Sequence, residues 1–98
     1  MLVDNCSLQR WRALGCESVV ERIADHAKRD PDFHPLKDPR TTRWYASVLG
    51  QQFELLITGT KFWDPRTQTG GGGAVDLVMH LRKASFREAV AYLKESRI

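Results

Sequence analysis

The chain is 98 residues long, 42% apolar and 28% charged, with a net charge of +3. This is one domain, residues 1–98, with a single core and little room for a deep catalytic cleft. No run approaches the ~20 apolar residues that span a membrane, and the first five residues lack the regions of a signal peptide. The two cysteines, Cys6 and Cys16, fit no disulfide framework, so a reduced, cytoplasmic setting is expected. Charge is uneven. Residues 1–39 hold six Lys/Arg against seven Asp/Glu, a balance of −1, and residues 40–98 hold nine against five, a balance of +4. A basic second half is compatible with an anionic partner such as nucleic acid.

In chain order, residues 7–14 predict a short helix with Ser7 as N-cap and Gly15 as its stop. A second helix is expected from Ser18, where Ser18 and Glu21 have the spacing of a capping box. Val19, Val20, Ile23 and Ala27 form its apolar stripe, and it must end before Pro31. Pro31, Pro35 and Pro39 mark an extended loop over residues 30–42. Residues 43–49 and 53–58 read as paired strands around a Gly50-Gln51 turn, with Phe53, Leu55 and Ile57 on one face. Gly59 permits a second turn before a short strand at residues 61–63. Residues 64–69 are loop chemistry leading to four glycines, residues 70–73. Two helices close the chain. The first spans residues 74–82, with Asp76 in its first turn. The second starts at Ser85, where Ser85 and Glu88 form another capping box and Phe86, Ala89, Val90 and Leu93 form the stripe. The class is therefore α+β, with N-terminal helices, an antiparallel sheet of three or four strands, and two C-terminal helices.

The glycine run is no known nucleotide loop. A phosphate-cradling loop needs Lys and a hydroxyl after its last glycine, where Ala74, Val75 and Asp76 stand. A dinucleotide fingerprint needs a third glycine where Val75 or Asp76 falls. A nest of N–H groups before a helix remains as a generic anion site, beside the plainer reading of a tight connection. His26, His34 and His80 accompany no nucleophile, and the carboxylates do not cluster, so no enzyme is expected.

From residue 70 onward, Gly-Gly-x-Ala-Val-Asp-Leu-Val-Met followed by Ala-Ser-Phe-Arg-Glu-Ala-Val-Ala-Tyr-Leu resembles the end of the zinc-binding domain of bacterial DnaG-type primases. The match covers residues 71–93. The resemblance implies a small antiparallel sheet of zinc-ribbon type over residues 43–63, single-stranded DNA as ligand, and a role in primer synthesis. It also implies a Cys-x-x-Cys zinc pair, which by register falls at Pro65 and Gln68, and a Cys-x-x-His pair near His34. These residues cannot supply a zinc site of four N/S ligands. The expectation is a degenerate form without zinc or other cofactor, with Phe62 and Trp63 replacing the metal as staple.

Cations interleaved with aromatics suit single-stranded nucleic acid, where bases stack and phosphates are neutralised. The candidate nucleic-acid-binding residues are Arg40, Arg43, Trp44, Lys61, Trp63 and Arg66, extended by Arg82 and Lys83. Trp44 and Trp63 are each open to a core role or a stacking role, while Phe53 and Phe62 are expected in the core. The reading is a non-catalytic single-stranded DNA module of a plasmid, phage or mobile element, alone or within a longer protein. A primase, polymerase or helicase component would be its protein partner, with no membrane. The rival is a protein-interaction adaptor that kept the fold and lost metal and DNA binding.

Overall fold

The computed structural model describes residues 5–98; residues 1–4, most of the N-terminal stretch expected to lack a signal peptide, lie outside the described part. The class is α+β: the described residues form four helices and a five-stranded antiparallel sheet in the order β1-β2-β3-β4-β5. The elements are α1 (Asn5–Arg12), α2 (Cys16–Ile23), β1 (His26–Arg29), β2 (Thr42–Val48), β3 (Gln51–Thr58), β4 (Lys61–Asp64), β5 (Thr69–Gly72), α3 (Gly73–Arg82) and α4 (Phe86–Glu95).

Alternation along the strands assigns the two faces. Trp44, Ala46, Val48, Leu55, Ile57 and Phe62 are buried toward the helices, where they meet Val19, Val20, Leu77, Val78, Val90 and Leu93. Arg43, Tyr45, Leu56, Lys61 and Trp63 point to the other face, which no helix covers. Trp11 is fully buried, and its indole N–H donates to the Ile98 carbonyl at 2.8 Å, tying α1 to the last residue.

Several boundaries differ from expectation. Ser7 lies inside α1 rather than at its cap. α2 begins at Cys16, with Gly15 as N-cap, and the Ser18 hydroxyl donates back to the Gly15 carbonyl instead of forming a capping box. The cause is tertiary: the Cys16 N–H donates to the Gly59 carbonyl at 2.9 Å, which anchors the helix start on the β3–β4 turn. α2 also stops at Ile23, and residues 26–29 form a strand on β2 instead of more helix. The β2–β3 turn is Leu49-Gly50, both with φ > 0, between the paired Val48 and Gln51. Phe86 is exposed, so the α4 stripe is Ala89, Val90 and Leu93.

The Ser85–Glu88 capping box is present, with Ser85 Oγ accepting from the Glu88 N–H and Glu88 Oε1 accepting from the Ser85 N–H. Ser85→Ala should cost about 1 kcal/mol, seen as a lower urea midpoint at unchanged slope.

The glycines are strand, not loop. Gly70, Gly71 and Gly72 pair with Trp63, Phe62 and Lys61. A Cβ on Gly70 would sit 2.8 Å from Trp63 Cε3, so the edge of the indole occupies the space where a side chain on β5 would otherwise stand. A Cβ on Gly71 would meet Asp76 Cβ at 3.0 Å and Phe62 Cε1 at 3.1 Å. Gly73 has φ +83°, and a Cβ there would lie 2.9 Å from the Arg12 Cα.

Candidate nucleic-acid interface

The uncovered sheet face carries the densest set of the expected residues. Cross-strand register places Arg43, Leu56, Trp63 and Gly70 in one row across β2 to β5. The neighbouring rows hold Lys28, Tyr45 and Glu54 on one side, and Thr58, Lys61 and Gly72 on the other. Trp63 is 43% and Tyr45 40% exposed, an unusual outlay of aromatic surface for a small domain. The Cε3–Cζ3 edge of the Trp63 ring packs over Gly70, and the exposed remainder of the ring lies on the open face.

The 30–41 loop borders this face. Arg43 donates twice to Asp30 Oδ2, at 2.9 and 2.6 Å, and its guanidinium lies 5.1 Å from the Phe33 ring and 5.8 Å from the Tyr45 ring. The Arg43 guanidinium holds the Asp30 carboxyl below the usual range. Arg40 pairs bidentately with Asp38, whose carboxyl is lowered to about 2 by that partner. A groove of about 830 Å³ runs between loop and sheet, with Lys37, Arg40, Lys61 and Trp63 on its walls and Leu56 among its lining. Lys37 and Lys61 have no acidic partner among the described residues.

The remaining candidates sit elsewhere. Trp44 is 6% exposed, and its indole N–H donates to Thr42 Oγ1, which in turn donates to Glu17. It is core and offers no stacking face, which corrects its inclusion as a binding residue. Arg66 and Lys83 line a separate cleft of about 600 Å³ against α3. Arg82 lies on α3 over the Tyr92 ring at 4.1 Å, in the helical layer. Tyr45 and Lys28 were not anticipated as a pair; the alternation of β2 signalled Tyr45, but Lys28 needed β1.

That second cleft contains a side-chain pair the sequence did not announce. Asp64 is 2% exposed; its Oδ1 accepts from the Arg66 and Thr67 N–H groups, and its Oδ2 from His80 Nε2 at 2.7 Å. Burial pushes the Asp64 carboxyl up, but the His80 and turn hydrogen bonds outweigh it and hold the group below its usual value. His80 in turn packs between Phe53 and Phe62, with ring centroids at 5.8 and 5.6 Å. Pro65 and Gln68 belong to the turn that Asp64 braces, and neither side chain can ligate zinc. Among the described residues, no three His, Cys, Asp or Glu side chains are placed to hold a metal ion. Cys16 is no substitute ligand: burial pushes its thiol up to about 11, and it donates to the Thr60 carbonyl. The residues present do not fit a zinc site. Phe62 packs beside His80, whereas Trp63 faces away from it, so Trp63 is no part of an internal staple.

Among the described residues, no helix is long and apolar enough to cross a membrane. No family model matches the chain. No solved structure matches it either. The chain is similar to a "65 kDa protein" of Zymomonas mobilis, at 39% identity over 90 residues. The match takes in 86% of this chain and only 15% of that protein.

Proposed function

We propose that this chain is a non-catalytic, cytoplasmic module that binds single-stranded DNA across the open face of its sheet. The observation that carries the proposal is Trp63. A sheet that keeps a glycine where a Cβ would strike the Trp63 ring, and leaves that residue 43% exposed beside Lys61 and Lys37, which have no acidic partner among the described residues, matches the stacking-plus-phosphate chemistry of single-strand binding. The likeness of residues 71–93 to the primase zinc-binding domain supports a role in primer synthesis or replication on a plasmid, phage or mobile element. The partner would then be a primase, polymerase or helicase component. On this reading the domain is a zinc-ribbon relative in which Asp64 and His80 brace the turn that metal would brace. Similarity to 15% of a much longer protein supports a module that also serves inside larger chains.

The test is fluorescence anisotropy with labelled single-stranded DNA at several salt concentrations. With Lys28, Lys37, Arg40 and Lys61 on phosphates, log K should fall with log salt at a slope of about −3, from ~0.7 per contact. Lys61→Ala should flatten that slope by ~0.7, and Trp63→Ala should weaken binding roughly 5- to 100-fold at unchanged slope. No binding at the lowest salt would overturn the proposal in favour of the adaptor.

A further inference from the structure

The cleft of about 600 Å³ beside α3 gathers two cations that the open face leaves aside, Arg66 and Lys83. Neither has an acidic partner among the described residues. One N–H of the Arg66 guanidinium reaches the Gln52 carbonyl at 3.4 Å, so the group spans from the β4–β5 turn to the start of β3 along the cleft. Its other guanidinium donors stay unused. The one carboxylate in the lining is Asp64, and both its oxygens already accept hydrogen bonds, Oδ1 from the Arg66 and Thr67 N–H groups and Oδ2 from His80. Asp76, one turn before His80 on α3, is engaged by the Gly72 N–H and lines a neighbouring opening instead. The cleft is thus a cationic pocket with no free carboxylate.

His80 narrows the choice of ligand. With Asp64 ionised, its Oδ2 accepts and the His80 Nε2 carries the proton, which leaves Nδ1 of the neutral ring as an acceptor. Among the described residues no buried side-chain nitrogen or oxygen lacks a hydrogen-bond partner, and Nδ1 makes no hydrogen bond, so it is within reach of solvent. His80 lines this cleft, with Phe53 and Met79 as its apolar neighbours there. We propose that the cleft binds a small phosphate monoester. Its charged oxygens meet Arg66 and Lys83, its P–OH donates to His80 Nδ1, and its organic group rests on Phe53 and Met79. An anion with no O–H to give, such as sulfate or a phosphodiester, satisfies the cations but leaves Nδ1 unmatched. The volume is within the range of about 300–1,000 Å³ typical of small-molecule sites. The site stands apart from the open face and does not rest on the single-strand reading.

NMR titrations of the full chain at pH 7 test this, with phenyl phosphate, inorganic phosphate, sulfate and an oligothymidine without terminal phosphate as probes. Phenyl phosphate should give saturable shifts at Thr67, Thr69 and His80, and should bind severalfold tighter than inorganic phosphate. Inorganic phosphate should bind roughly tenfold tighter than sulfate, and should move the His80 Nδ1 nitrogen signal, which sulfate leaves in place. Arg66→Gln and Lys83→Gln should each weaken phenyl phosphate roughly tenfold, the low end for a hydrogen bond to a charged group. Both residues are exposed, so neither variant endangers the fold. Sulfate binding as tightly as phosphate, or an affinity indifferent to both variants, would overturn the monoester site. So would the lack of any saturable shift in the cleft. An oligothymidine that moves the same signals as strongly as phosphate would also overturn it, because the cleft would then belong to the track of a strand. A protein that takes phenyl phosphate but no DNA keeps this site and loses only the strand reading.

Discussion

Asp64→Ala is expected to be among the most damaging single substitutions in this chain, lowering stability by about 3–4 kcal/mol. It removes a buried acceptor from three donors at once: the His80 ring and the Arg66 and Thr67 N–H groups. Arg66 and Thr67 are exposed, so water can replace the carboxylate at their N–H groups. Most of the loss falls on the Asp64–His80 pair, whose side chains are 2% and 13% exposed; breaking such a buried pair costs about 3–5 kcal/mol. Against a total of about 5–15 kcal/mol for a domain, that is a large share. Asp64→Asn keeps an acceptor for the turn and should cost less. The pH dependence has a definite sign. The folded Asp64 carboxyl is held below the ordinary aspartate value of 3.8. Its contribution is complete above that value and is lost as pH falls through the lower, folded one. Urea midpoints should therefore drop on acidification below about pH 4 in the unaltered protein, and less in Asp64→Asn. A midpoint for Asp64→Ala within experimental error of the parent at pH 7 would show that the pair braces nothing.

Gly73→Val should be comparably severe, at about 2–4 kcal/mol. The residue sits at φ +83°, where a β-branched side chain is strained by ~1–2 kcal/mol, and its Cβ would press within 2.9 Å of the Arg12 backbone. The Gly73 N–H also donates to the Thr60 carbonyl at 2.7 Å, so the backbone has no freedom to retreat. Gly72 provides the control. Its φ is −143° and an added Cβ meets nothing nearer than 3.6 Å, so Gly72→Ala should shift the urea midpoint little. Equal losses at both positions would mean that strand entropy, not close approach, decides the run.

What could be read in the chain was what short-range chemistry specifies. The α3–α4 pair follows from its periodicity and the Ser85 box, and the β2–β3–β4 meander from alternation around Gly50 and Gly59. What escaped depends on partners far along the chain. β1 was hidden because Ala27 continues the helical spacing of Val19, Val20 and Ile23; only the edge of β2 gives residues 26–29 a reason to extend. The glycine strand has no side chains to alternate, and its cause at Gly70 is the edge of the Trp63 indole. Asp64 and His80 are 16 residues apart, joined by the turn, β5 and most of α3, and each alone reads as a turn residue or a helix-surface residue. On the open face, the Trp63–Gly70 pair was within reach, because an aromatic facing a glycine across a hairpin is a local relation. Lys28 was not, because it needed the unforeseen strand.

The Asp76 carboxylate accepts from the Gly72 N–H at 3.1 Å. It thereby occupies a backbone donor on the sheet's outermost strand, the kind of group through which a neighbouring molecule would extend the ladder. At the opposite margin, β1 is only four residues long and carries Lys28 and Arg29, which repel a like strand. A protein that displays two aromatic rings on a bare sheet invites self-association. The Asp76 contact and the short, basic β1 blunt both lateral margins against strand addition, so exposed rings on the face between them need not draw copies of this chain into a fibril.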